Sequence, residues 1–170
     1  MKLNHAVTFT FELDLPQASA TSFVRDAAAS LSKAQFIEGL AVSDTKPPVV
    51  SASLPVNAAL FGQQLLKFES RIVETPKGAK LEPLTLNTDE LGWAEVAGEA
   101  TVSPTPKGSE VFYAFDITIH LKLPTAEKWG GQALTRMIEF TAQHVLENVT
   151  ANFPLAVQAA AKEAEARYAA

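Results

Sequence analysis

The side chains best suited to acid, base or metal chemistry are few and scattered. The three histidines, His5, His120 and His144, lie in three separate segments. No two have the H-x-x-x-H spacing that sets a pair of imidazoles on one helix face. His144 and Glu147 form a lone i, i+3 pair. A protein metal site needs about three or four convergent ligands, and the chain has no cysteine, so no metal centre is expected. Without cysteine there is also no disulfide and no thiol nucleophile. The chain contains no G-x-S-x-G elbow, no phosphate-binding P-loop and no G-x-G-x-x-G turn. No cofactor is therefore expected. Glu69, Glu95, Glu99 and Asp116 fall mainly at outward positions of expected strands, which suits a solubilising face better than an acid–base pair.

The aromatic residues are a more coherent set. Phe9, Phe11, Phe68, Tyr113 and Phe115 share the inward side of their strands by alternation. Phe140 lies on the expected C-terminal helix and Trp129 near it. Plain core packing accounts for such a set, and a pocket lining is the alternative. Tyr113 adds weight to the pocket, because a buried phenol needs a hydrogen-bond partner. Helical spacing brings Met137, Thr141 and His144 onto or beside the same facing stripe. The candidate ligand-binding set is thus Phe11, Phe68, Tyr113, Phe115, Met137, Phe140, Thr141 and His144, with no catalytic residue assigned. Arg136 reads as a surface residue.

The elements that must hold these side chains follow from periodicity. Val7, Phe9, Phe11, Leu13 and Leu15 alternate with Thr8, Thr10, Glu12 and Asp14, which predicts a strand with one buried face. From Gln17 to Leu40, Phe23, Ala27, Leu31 and Ala34 fall at helical spacing and predict one bent helix or two short ones. The run from Ser43 to Pro48 reads as a loop. Further strands are expected at Val49–Leu54, stopped by Pro55, and at Phe61–Glu74. Lys80–Leu86 is placed near an edge or bulge because it contains Pro83. Trp93–Val102 and Glu110–Leu123 complete the set. Turn residues at Pro76–Gly78, Asn87–Glu90 and Pro104–Gly108 separate them, so the strands should form an antiparallel meander. Beyond Pro124, Leu134, Met137, Ile138, Thr141, Val145 and Asn148 trace one helix face. Nine of the last twenty residues are Ala. Pro154 is the expected bend or break in this helix, leaving 154–170 as an Ala-rich helical extension that packs sideways or onto a partner chain.

The order is strand, helical segment, about five further antiparallel strands and a long amphipathic helix. It resembles the helix-grip architecture of the START-like superfamily, which includes polyketide cyclases, plant pathogenesis-related allergens and the carbon-monoxide-dehydrogenase G-like family. The resemblance is closest to the last of these. It is carried by Gly92-Trp93-Ala94-Glu95-Val96, Pro106-Lys107-Gly108-Ser109-Glu110-Val111 and Asp116-Ile117-Thr118-Ile119, followed by the helix. It implies an α+β fold, a curved antiparallel sheet of about six strands wrapped around the C-terminal helix, in a divergent bacterial branch. Physical reasoning favours the same layout, since a sheet with one apolar face must be covered and only the C-terminal helix is long enough to cover it.

Size and composition agree with one domain over residues 1–170. The chain has 170 residues, is 47% hydrophobic and only 19% charged, which argues against disorder. A net charge of −5 with no basic run makes nucleic acid and anionic membranes poor partners. No run approaches the ~18 apolar residues of a membrane span. Polar residues from Thr8 to Asp14 interrupt any secretory apolar segment, so a cytoplasmic location is expected. The leading functional expectation is a non-enzymatic binding or carrier protein for a small hydrophobic ligand held between sheet and helix. The alternatives are a cyclase- or hydratase-type enzyme using Tyr113 and His144 in the same cavity, and a partner-binding module with a filled core that dimerises through the C-terminal helix.

Overall fold

The computed structural model describes residues 2–57, 62–86, 92–122 and 131–169. Phe61, the Asn87–Glu90 turn, Leu123, Trp129 and the side chain of Leu134 lie outside the described residues. The elements, in chain order, are β1 (Lys2–Leu13), α1 (Gln17–Arg25), α2 (Ala27–Ser30), β2 (Glu38–Val42), β3 (Val49–Asn57), β4 (Gln63–Thr75), β5 (Gly78–Pro83), β6 (Gly92–Thr105), β7 (Gly108–Leu121) and α3 (Gly131–Ala169). One seven-stranded sheet runs in the order β1-β7-β6-β5-β4-β3-β2. Each neighbouring pair is antiparallel. A single parallel bridge, Lys67–Trp93, joins β4 to β6, where the short β5 no longer separates them. The α+β helix-grip expectation is met, with seven strands in place of about six.

The alternation in β7 does what its pattern requires. Val111, Tyr113, Phe115, Ile117, Ile119 and Leu121 are all buried. The same face of the sheet continues through Ala94, Val96, Ala100 and Val102 of β6, then Leu66, Phe68 and Ile72 of β4 and Val50, Ala52 and Leu54 of β3. At the β1 edge the inward residues Val7, Phe9 and Phe11 are only half-buried. Gly98 makes room for a ring: a Cβ there would stand 2.9 Å from Phe115 Cδ1.

Four local expectations are corrected. Glu38–Val42 is a strand, β2, whose first three residues fall in the span read as helical; it lacks alternating burial, and its register shifts between Glu38 and Ala41. Pro55 does not stop β3; it lies past Ser53, beyond the residues that pair with β2, at an edge where a residue without an N–H is tolerated. β5 is interior rather than an edge strand, and Pro83 is its last residue.

The fourth correction concerns α3, which continues through Pro154. Its last third is core, not an extension: Ala156, Val157, Ala160, Ala161 and Ala164 are buried beside Phe153. Alanine lets the helix approach the sheet closely, and the helical end is tied on both sides. Glu165 accepts the Asp14 backbone N–H at 2.9 Å, next to the end of β1. Glu163 meets Lys33 at 2.8 Å, and the lysine holds this exposed carboxyl below its usual range. These buried alanines are spent on the protein's own core and cannot meet a partner chain.

Candidate functional site

The sheet side of the expected site assembles, and most of the helix side does not. Phe68, Tyr113 and Phe115 are buried and Phe11 is half-buried, all on the concave face. On α3, Met137 is 55% exposed and Phe140 75% exposed. His144 is exposed, with its ring beside Phe140 at 6.4 Å. Thr141 is half-buried and donates its hydroxyl proton to the Met137 carbonyl at 2.9 Å. The stripe that faces the sheet is Ile138, Ala142, Leu146, Val149, Phe153, Val157, Ala160 and Ala164. Reading the helix by its large side chains placed the face one residue early, because Ala142 carries little apolar weight yet is fully buried.

What the fold brings together is an aromatic row. Phe9 stacks on Tyr113 with ring centres 5.2 Å apart, and Phe11 lies 6.0 Å from Tyr113. Tyr113 is 5.5 Å from Phe115. Phe115 stacks on Phe153 of α3 at 4.4 Å, and Phe153 meets Phe36 at 5.0 Å. The cross-strand register explains the first contacts, since Phe9 pairs with Tyr113 and Phe11 with Val111 on β7. Offset rings at such spacings are favourable beyond their burial. Sequence alternation exposed the strand members; Phe36, in the turn between α2 and β2, and Phe153, on α3, had no comparable signal.

Tyr113 lies within this row, with Ser30 of α2 beside its hydroxyl. Its hydroxyl is buried and makes no hydrogen bond. Burial pushes the phenol well above its ordinary pKa; Ser30 beside it pulls weakly the other way. The Ser30 hydroxyl proton is directed at the backbone carbonyls of Phe23, 2.6 Å away, and Asp26, 2.8 Å away. Between these helices and the sheet is a cavity of about 40 Å³, lined by Val24, Ala27, Leu31, Ile72, Ala100 and Tyr113 among others. The helices over it are held by Arg25, which donates to the Gly78 carbonyl at 2.9 Å and the Thr75 carbonyl at 2.7 Å.

The outward face carries the polar groups. Glu99 and Asp116 are exposed and Glu69 and Glu95 half-buried. His120 stacks on Trp93 at 4.2 Å, with Nε2 3.5 Å from Glu95. Asn4 bonds Asp116 and, at 2.9 Å, Thr118. Among the described residues no three His, Asp or Glu side chains gather into a metal site. No helix among them is long and apolar enough to cross a membrane.

Residues 8–151 match the family described as Protein of unknown function (DUF3809). The chain belongs to that family. No curated protein is similar to it in sequence. Among solved structures, the chain is similar to the di-domain ARO/CYC StfQ from the steffimycin biosynthetic pathway, with a TM-score of 0.58 and 17% identity over 99% of this chain and 53% of that one. The Zhui aromatase/cyclase from Streptomyces sp. R1128 gives 0.57 at 16% identity, over 99% and 96%. The di-domain ARO/CYC BexL from the BE-7585A biosynthetic pathway gives 0.55 at 17%, over 96% and 50%. The chain spans about half the length of the two di-domain proteins. At these identities the likeness shows the shared helix-grip fold.

Proposed function

We propose that this member of the DUF3809 family binds or carries a small apolar molecule against the aromatic row on the concave face of its sheet. One observation carries the reading. The row runs without a gap from the half-exposed rings of Phe9 and Phe11 to the buried, unpartnered hydroxyl of Tyr113. Apolar lining with a single polar group is the usual make-up of a small-molecule site. In this reading Phe11, Phe68, Tyr113 and Phe115 serve the ligand, whereas Met137, Phe140 and His144 are left on the outer side of α3 and Thr141 contributes only a helix bond.

A binding role is favoured over a cyclase or hydratase role. The two groups that would act together, Tyr113 and His144, stand one buried and one exposed. The resemblance to the carbon-monoxide-dehydrogenase G-like family remains part of the proposal, supported by the β6–β7 hairpin with its Pro106-Lys107 turn before Gly108. So does a cytoplasmic location.

The cavity of about 40 Å³ favours a second reading, a packed module with no ligand, because small-molecule pockets span ~300–1,000 Å³. Titration with the neutral dye Nile red separates the two. Binding should saturate at one site and weaken by about tenfold, or ~1.4 kcal/mol, in Phe9→Lys, while Phe112→Lys on the opposite face leaves it unchanged. No saturable binding by the unmodified protein would leave the packed module.

A further inference from the structure

We propose that the cavity under α1 and α2 is the polar-tipped inner end of this site, taking the terminus of a neutral apolar molecule whose acceptor oxygen, a ketone, aldehyde or ether, bonds the Tyr113 hydroxyl. The inference rests on the binding reading above and names the ligand class.

Hydrogen-bond accounting sets the chemistry. Tyr113 is 4% exposed and its hydroxyl has no partner. A buried polar atom left unsatisfied is uncommon and costly, so the site is completed by something that enters. The Ser30 proton is committed to the Phe23 and Asp26 carbonyls, and its oxygen, though beside Tyr113, stands outside hydrogen-bond geometry with that hydroxyl. The proton on offer is therefore that of Tyr113, and what enters must bring an acceptor.

Size and charge narrow the class. A cavity of about 40 Å³ exceeds the ~10–15 Å³ that one water needs and suits only the end of a chain. Its lining is mainly aliphatic, with Val24, Ala27, Leu31, Ile72 and Ala100, and Ser30 lies beside the Tyr113 hydroxyl. The charged residues on its lining, Lys80 and Glu99, are exposed and face each other across the β5–β6 ladder. Their signs cancel, which gives an ion no advantage over a neutral end.

The test compares 2-pentanone with its isostere 2-methyl-1-pentene, in which a CH₂ group replaces the carbonyl oxygen. Methyl NMR signals of Ala27, Ala79 and Ala100 report the site. The ketone should shift them saturably and bind about tenfold tighter than the alkene, the worth of one neutral hydrogen bond. In Tyr113→Phe the preference should vanish or reverse toward the alkene, because the buried carbonyl then has no donor, with melting temperature no lower. The ketone–alkene comparison in the unmodified protein decides even if that variant fails to fold. Equal binding there, or a preference that survives in Tyr113→Phe, overturns the inference. Silent alanine methyls with intact Nile red binding overturn it while leaving the broader reading; loss of both overturns both.

Discussion

Tyr113 concentrates the chemistry of the molecule at one atom. Its hydroxyl is buried with no partner, and an unsatisfied buried polar group costs about 1–3 kcal/mol. Tyr113→Phe keeps the ring and its contacts with Phe9 and Phe115, so in ligand-free protein it should be neutral or stabilising by about 1 kcal/mol in urea unfolding. The pH dependence has a definite sign. Burial raises the folded-state pKa of Tyr113, so its contribution is fully present below the unfolded phenol's ~10 and is lost as pH rises beyond it. Above that pH, stability should fall by up to about 1.4 kcal/mol per pH unit through this group. Tyr113→Phe should remove that part of the alkaline slope. An unchanged slope would show that the phenol is not held neutral by burial.

At the scale of elements, α3 is where sequence and structure part most instructively. Alternation in β1 and β7 was legible because each strand pairs strong apolar residues with polar ones, as in Val111 to Leu121. The helix face was legible only in part. Ile138 and Val145 fit both readings, but the true stripe relies on Ala142, Ala160 and Ala164, whose small methyls are silent to a count of bulky residues. Pro154 was equally misleading, since the helix runs through it. β2 was hidden because none of its five residues is fully buried. Removing residues after Asn152 deletes Phe153 and Val157 from the core, and should abolish cooperative thermal unfolding by circular dichroism. Phe153→Ala alone should cost about 3–5 kcal/mol. A truncated chain that melts cooperatively would return the Ala-rich end to the status of an appendage.

For the whole molecule, the helix-grip fold combines a firm core with an incompletely covered edge. The centre of the sheet is sealed by α3, with Ile117, Leu146 and Val157 wholly buried. The β1 side is less complete, leaving Phe9 and Phe11 half-covered at the start of the aromatic row. Fold likeness to aromatase/cyclases reaches almost the full chain, yet a fold hosts many functions, so the functional claim stands on the row and the buried Tyr113 hydroxyl within it. Native mass spectrometry of the protein purified from its own host tests that claim most directly. The account predicts an adduct of small-molecule mass on the folded 18.2 kDa chain, lost on unfolding and diminished in Phe9→Lys. Folded protein that carries no adduct from any growth condition, and takes up no Nile red, would contradict it.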